Sequence, residues 1–276
     1  MTLQEAFLDR TATDTLPPEV FMARVFITGS ADGLGLAAAR VLLGDGHDVV
    51  VHVRATPRLD AVRELLDRGA EAVVADLSDV EQTRDLAGRV NRLGRMDAVI
   101  HNAGVHTGRA VLPVNVVAPY LLTALVDTPR RLVYLSSSEH YHGRAELTGL
   151  DWTGRRPGSY PDSKLFVTTL AAAVARLRPD VTSNAVDPGW VPTKMGGPGA
   201  PDDLRLGHLT QEWLATGDDP DARSSGGYWH HRRRVRPHPA VRDRRFQDRL
   251  LETLAGVTGT RLAPAGEGST VERPGP

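Results

Sequence analysis

Short apolar runs recur along the chain, each followed by a stretch with helical spacing. Val25–Ile27, Val49–Val53, Ala72–Ala75, Met96–Ile100, Arg131–Leu135 and Val181–Val186 are three to six residues long. That is too short for helices, and most are rich in β-branched residues, as buried strands are. They lack an apolar/polar alternation, which is the pattern of strands covered on both faces. Between them, helical periodicity predicts helices over 34–43, 59–68, 80–93, 114–126, 160–178 and 204–216, with a last one over 243–254. Residues 226–230 read as a short seventh strand. Strands alternating with helices at this rhythm predict one α/β domain, a doubly wound parallel sheet of about seven strands with helices on both faces. The domain is expected over 22–256. Residues 1–21 contain Pro17-Pro18 and little periodicity, and 257–276 read as a loose tail. Met22 stands just before the first strand and offers an alternative start. Residues 194–208 carry four glycines and two prolines, a lid-like composition within an expected substrate loop of about 188–215.

The first strand runs into Thr28-Gly29-Ser30-Ala31-Asp32-Gly33-Leu34-Gly35. Strand, glycine-rich turn, helix is the Rossmann-type setting of a dinucleotide-binding turn. Gly29 allows a sharp turn, Gly33 keeps side chains off a pyrophosphate, and Gly35 lets helix and strand pack closely. The helix N-terminus then faces the phosphates. The spacing is one residue longer than the usual fingerprint. Gly29, Ser30, Asp32, Gly33, Leu34 and Gly35 are the candidate contacts. Arg54 follows the second strand, where an acid would hold a ribose 2′-hydroxyl and an arginine accommodates a 2′-phosphate. No Asp or Glu stands at Val53 or Arg54, so NADP(H) is expected over NAD(H). Arg58 is a second candidate phosphate contact. Asp76-Leu77 closes the third strand and is placed to meet the adenine.

Ser159-Tyr160-Pro161-Asp162-Ser163-Lys164 opens the long helix over 160–178. Tyr160 and Lys164, four apart, share one helix face. A free tyrosine has a pKa near 10, and a neighbouring ammonium is expected to lower it. Tyr160 then becomes an acid–base for a carbonyl or alcohol oxygen. Ser137, just past the strand 131–135, would hydrogen-bond the same oxygen. Lys164 would also hold the nicotinamide ribose.

These residues together resemble the short-chain dehydrogenase/reductase family, over about Arg24 to Leu254. The resemblance is carried by Thr28-Gly29-x-x-x-Gly33-x-Gly35, Asp76-Leu77, Asn102-Ala103-Gly104, Asn115, Ser137, Tyr160-x-x-x-Lys164 and Pro188-Gly189-x-Val191-x-Thr193. It implies a tetrad: Asn115 anchoring a proton-relay water, Ser137 on the substrate oxygen, Tyr160 as acid–base, Lys164 as its activator. It implies that Asn102, Ala103 and Gly104 shape the nicotinamide end. Val186, or Pro188, Gly189, Val191 and Thr193, would close over the carboxamide. Of three serines in a row, the family pattern selects Ser137, with Ser138 as second choice and Ser136 facing away. The wide gap from Ser137 to Tyr160, and Gly226-Gly227-Tyr228-Trp229, look like the retinol-dehydrogenase-like branch, which generally prefers NADP. Only ten residues separate Gly104 from Asn115, about half the family's usual number, so the loop before the fourth long helix is trimmed. The resemblance also implies a homodimer or homotetramer.

Composition narrows the alternatives. A chain of 276 residues with 41% hydrophobic residues can bury one large core. A net charge of −1 gives no global field toward nucleic acid or an anionic membrane. The absence of cysteine excludes disulfides, a thiol nucleophile and thiolate metal sites. No apolar run approaches the roughly 18 residues of a membrane span, and a cytoplasmic protein is expected. His101, His106, His140 and His142 lack metal-site spacing, so no metal is expected. His230-His231-Arg232-Arg233-Arg234-Val235-Arg236 reads as a solvated surface segment. Trp152 and Trp190 could each wall a substrate site or be structural. The sequence therefore points to an NADP(H)-dependent oxidoreductase interconverting a carbonyl and an alcohol on a small, moderately hydrophobic molecule. A catalytically silent NAD(P)-binding sensor or scaffold, and an epimerase or dehydratase retaining its cofactor, stay open.

Overall fold

The computed structural model describes residues 22–127 and 129–264. The 1–21 arm lies outside the described residues, as does the end of the expected tail. Eight strands form one sheet in the order β3-β2-β1-β4-β5-β6-β7-β8. They are β1 Arg24–Ile27, β2 Asp48–Val53, β3 Glu71–Val74, β4 Ala98–His101, β5 Arg131–Leu135, β6 Thr182–Asp187, β7 Tyr228–His230 and β8 Arg233–Val235. The first seven run parallel. The helices are α1 Gly33–Gly44, α2 Arg63–Asp67, α3 Val80–Arg92, α4 Ala118–Leu125, α5 Tyr160–Leu177, α6 Leu204–Thr216 and α7 Arg244–Thr258.

Alternate strand residues feed two separate cores. Phe26, Val50 and Val73 pack with α3, α4, α5 and α7 on one face. Val25, Ile27, Val49 and Val51 pack with α1, α2 and α6 on the other. This two-sided burial is why the strands read as continuous apolar runs. Strand order reverses between β1 and β4, and such a switch point opens a crevice at the carboxyl ends of the strands.

Helix caps sort by role. Asp79, Ser159, Asp203 and Asp243 each accept backbone N–H bonds at the starts of α3, α5, α6 and α7. Asp32 stands at the same position of α1 and makes no such bond. The first N–H groups of α1 are thus free of a side-chain cap, at the point that faces the crevice.

The structure corrects the expected elements in four places. The sheet has an eighth strand: β8 turns back antiparallel on β7, so part of the expected solvated segment is a hairpin. His231 and Arg232 form its two-residue turn at φ 48° and 61°, the left-handed pair such hairpins need. The expected helix over 59–68 is a 3-10 stretch, Thr56–Val62, followed by the short α2; Pro57 lies in its first turn. The expected helix over 114–126 begins as a π turn, Pro113–Val117, with Ala118 N donating to the Pro113 carbonyl five residues back. Pro119 has no N–H to give the Asn115 carbonyl, so a regular α-ladder is interrupted there. Finally, α7 continues to Thr258, and the next residues lie against the core: the Tyr120 hydroxyl donates to Thr260 O at 2.8 Å and Arg178 Nε to Ala263 O at 2.9 Å. Residues 257–264 are therefore part of the packed domain.

Candidate active site

At the switch point a cleft of about 490 Å³ runs from the glycine turn to the start of α5. Gly29 sits at φ +69°, and a Cβ there would lie 2.8 Å from Ala103 Cα. Gly33 sits at φ +55°, facing Thr193 across the cleft. A Cβ on Gly35 would come within 2.4 Å of Asn102 Nδ2 and 2.5 Å of the Gly29 carbonyl, so α1 could not seat so closely. Asn102 secures this turn from behind, its Nδ2 donating to the Thr28 and Gly29 carbonyls at 2.9 and 3.0 Å. Ala103 N donates to Thr28 Oγ1 at 3.0 Å. A floor without side chains beneath an uncapped helix N-terminus fits a dinucleotide pyrophosphate.

Asp32, Leu34, Ala103 and Gly104 line this cleft as expected, but Ser30 does not. Ser30 is fully buried and its hydroxyl donates to Ile27 O at 2.6 Å, because the turn folds it inward. Gly35 likewise acts by packing, behind the lining. Arg54, Asp76 and Leu77 line the far end. Arg54 is exposed and has no acidic partner among the described residues. Asp76 Oδ1 accepts from Ser78 N and Oγ at 2.9 and 2.7 Å, which fixes its carboxylate. Arg58 reaches Asp32 at 2.9 Å, and Lys194 meets the same carboxylate oxygen at 3.4 Å. Asp32 thus spends its carboxylate on cations from two sides of the cleft.

One supporting residue was not foreseen. His52 is buried in β2, where its Nδ1 accepts from Gly29 N at 3.0 Å and its Nε2 lies 2.9 Å from Ala75 O. The tautomer follows, since a backbone N–H only donates. Burial lowers its pKa to about 4, so it holds the turn as a neutral ring.

At the inner end of the cleft Tyr160 and Lys164 line the wall with Leu135 and Ser136, and Ser137 stands beside Tyr160 off this lining. Ser137 stands two residues past the end of β5; its Oγ accepts from Glu139 N at 3.2 Å and acts on the Tyr160 phenol. Ser136, expected to face away, lines the cleft with its Oγ 2.5 Å from Thr168 Oγ1, and Ser138 opens a 3-10 turn, Ser138–His142. Of the three serines, Ser136 is the one in the cleft lining and Ser137 the one that acts on the Tyr160 phenol. Lys164 is buried; its Nζ donates to Leu135 O at 2.8 Å and lies 5.4 Å from the centre of the Tyr160 ring. Asn115 lies in the π turn, off the lining. Its Oδ1 accepts from Val105 N at 2.8 Å, and its Nδ2 donates to Val105 O at 2.9 Å and to Ser163 Oγ at 3.0 Å. The trimmed loop is clamped directly onto the site by this one side chain.

Electrostatics here run against the expected lowering of the tyrosine. Burial pushes the Tyr160 phenol up to about 12; the nearby Ser137 hydroxyl works against this, while the Asp187 and Glu139 carboxylates add to it. Burial likewise lowers Lys164 to about 8, opposed by Asp187. The ammonium is desolvated and committed to the Leu135 carbonyl, so dehydration of the phenol outweighs it.

On the loop after β6, Pro188 and Thr193 line the cleft, but Gly189 and Val191 do not. Gly189 turns at φ +81° beneath Asp202, and Val191 is buried against Gly207 of α6. Val186 is buried in the core. Lys194 and Met195 line the cleft in their place, together with Val105, Ala110 and Val114 from the trimmed segment. Trp190 is 60% exposed on this loop, whereas Trp152 is buried against Phe166, with ring centres 5.6 Å apart. The four histidines scatter: His101 in the core, His106 with its ring 4.5 Å from that of Tyr160, His140 buried behind Ser137, and His142 exposed beside Glu139.

Comparison with known proteins supplies the rest. Residues 23–126 match the family model of the short chain dehydrogenases. Short-chain dehydrogenase chry4 of Gibberella zeae is 37% identical over 257 residues, covering 87% of this chain and 99% of its own. Short-chain dehydrogenase chyC of Penicillium rubens is 36% identical over the same span and coverage. Human retinol dehydrogenase 13 is 27% identical over 198 residues, with 62% of this chain and 60% of its own covered. Among solved structures, a protein from Mycobacterium paratuberculosis superposes with a TM-score of 0.71 at 24% identity, over 87% of this chain and 94% of its own. A short chain dehydrogenase from Escherichia coli CFT073 complexed with NADPH has a TM-score of 0.62 at 24% identity, over 78% and 99%. With the glycine turn, the Ser137–Tyr160–Lys164 grouping and relatives matched nearly end to end, the chain belongs to the short-chain dehydrogenase/reductase family of oxidoreductases.

Proposed function

We propose that this protein is an NADP(H)-dependent oxidoreductase that interconverts a carbonyl and an alcohol on a small, moderately hydrophobic molecule. The observation that carries this reading is the Tyr160 ring at the inner end of a cleft that begins at a glycine turn, with Lys164 Nζ 5.4 Å from its centre and the Ser137 hydroxyl acting on its phenol. Similarity to a family member crystallised with NADPH supports the choice of cofactor, as does Arg54 standing free at the end of β2. When bound, the cofactor supplies or accepts the hydride. Arg54 and Arg58 would take the 2′-phosphate, Asp76 the adenine, the start of α1 the pyrophosphate, and Lys164 the nicotinamide ribose.

The remaining steps belong to the chain. Ser137 donates a hydrogen bond to the substrate oxygen and polarises it. Tyr160 gives its proton to that oxygen in reduction, and takes one in the reverse direction. A phenol held neutral by burial is the form that reduction needs. Lys164 keeps positive charge beside the ring and stabilises the phenolate once the proton has left. Asn115, through its clamp on Val105, keeps the loop and the π turn in register with α5.

Fluorescence titration with NADPH and then NADH tests the cofactor, repeated on Arg54→Ala. NADPH is expected to bind more tightly, and Arg54→Ala to weaken it by about tenfold, the worth of one charge-assisted contact. NADPH oxidation against a panel of ketones, aldehydes and quinones tests the chemistry. Tyr160→Phe is expected to lose roughly 100-fold or more of the turnover. Binding without hydride transfer to any carbonyl would favour a silent nucleotide sensor; no binding of either nucleotide would sink the enzyme reading.

A further inference from the structure

His140 is used by none of these steps, yet it is fully buried three residues beyond the catalytic serine. The Ser137 carbonyl receives both of its N–H groups, the backbone N at 3.0 Å and ring Nδ1 at 2.8 Å. The other ring nitrogen, Nε2, accepts from His238 N at 3.0 Å. A backbone N–H can only donate, so Nε2 is bare and Nδ1 carries the hydrogen. The ring is enclosed by Tyr141 and Tyr228, with centres 4.0 and 4.5 Å away. A second tie runs alongside, from the Tyr141 hydroxyl to Arg236 O at 2.5 Å. The turn that carries Ser137 is thereby fastened to the segment 236–242, which leads into α7.

We propose that His140 is a positioning residue that fixes the Ser137 peptide, and so the direction of its hydroxyl, and couples it to the 236–242 segment through His238. The inference rests on the reading of Ser137 and Tyr160 as the reacting pair. Its logic is that a serine at the junction of strand and 3-10 turn has freedom its neighbours lack, and misplacement by about 1 Å costs up to 100-fold in rate.

Three variants of the full chain separate positioning from bulk packing. His140→Asn sets an amide nitrogen where Nδ1 stands, His140→Gln sets its amide where Nε2 stands, and His140→Phe fills the space with neither. On the carbonyl panel, His140→Asn is expected to keep kcat within about threefold. His140→Gln and His140→Phe are expected to lose about tenfold or more, with KM for NADPH unchanged in all three. Amide hydrogen exchange gives a readout that needs no turnover. His140→Phe should speed exchange over 137–142 and 236–242 and leave the central strands protected. Wild-type kcat in the Gln and Phe variants, losses that simply follow Tm across all three, or unchanged exchange in both segments would overturn the inference. A wild-type protein inert on the whole panel, or a Tyr160→Phe variant as active as wild type, would remove the functional reading and this inference with it. Activity that depends on Tyr160 but ignores His140 removes the inference alone.

Discussion

Gly35 is the residue at which the turn is least negotiable. A Cβ there would collide with Asn102 Nδ2 and the Gly29 carbonyl, neither of which can move without dropping the bonds that hold the turn. Gly35→Ala is expected to cost about 1–3 kcal/mol in denaturant unfolding, the usual range for overpacking, and to weaken NADPH binding at the same time. Two histidines set a pH limit by the same logic of burial. Burial lowers His52 to about 4 and His101 to about 3, from 6.5. Between these values the unfolded chain takes up protons that the folded chain refuses. Their contribution to stability is therefore complete above pH 6.5 and lost as pH falls toward 4 and 3. Urea midpoints should drop from pH 7 to pH 5, and His101→Phe should make that drop shallower. The glycines and the Tyr160/Lys164 pair could be read from sequence because their spacing is local. His52 and His140 could not, because their roles depend on partners 23 and 98 residues away.

Elements were legible where one physical signal dominated. Apolar runs of β-branched residues marked the buried strands of the parallel sheet. β8 was hidden because its residues, Arg233, Arg234 and Val235, are all exposed, and its turn uses His231-Arg232 where a glycine would have announced it. The π turn was hidden because prolines at 113 and 119 reroute hydrogen bonds without changing the apolar period. The start of α1 shows how an element is reserved for a ligand. Asp32 forgoes the cap and pairs with Arg58 and Lys194 across the cleft mouth. Such exposed pairs contribute little to stability, so their effect should appear in binding. Asp32→Ala is expected to tighten NADPH binding several-fold at low ionic strength by releasing both cations. The difference should shrink at about 0.5 M salt, where the Debye length is a few ångströms.

At the scale of the whole molecule, the chain closes on itself through its last described residues. Arg84 donates to the Thr258 carbonyl and reaches Thr260 Oγ1 at 2.7 Å, while Arg178 Nη1 holds Thr123 O at 3.0 Å as its Nε holds Ala263 O. Leu262 packs on the same core. A chain stopped after Val257 is expected to lose about 2–4 kcal/mol, from several hydrogen bonds to charged groups and one apolar contact. A lowered Tm with an unchanged NADPH Kd per folded molecule would check it. Among the described residues no helix is long and apolar enough to cross a membrane.

The hairpin at the end of the sheet has a further consequence, for the growth of matter rather than for chemistry. A sheet ending on β7 would present a free ladder of backbone N–H and C=O groups, an invitation to edge-to-edge strand pairing. The β8 ribbon replaces that frontier with two exposed guanidinium groups, and the Arg234 guanidinium lies 5.9 Å from the centre of the Trp229 ring. A second copy adding a strand there would bring like charges face to face. Exchanging Arg233 and Arg234 for threonine should leave the fold and the cleft intact yet turn a clear solution turbid on mild heating, since colloidal solubility at this edge depends on two cations.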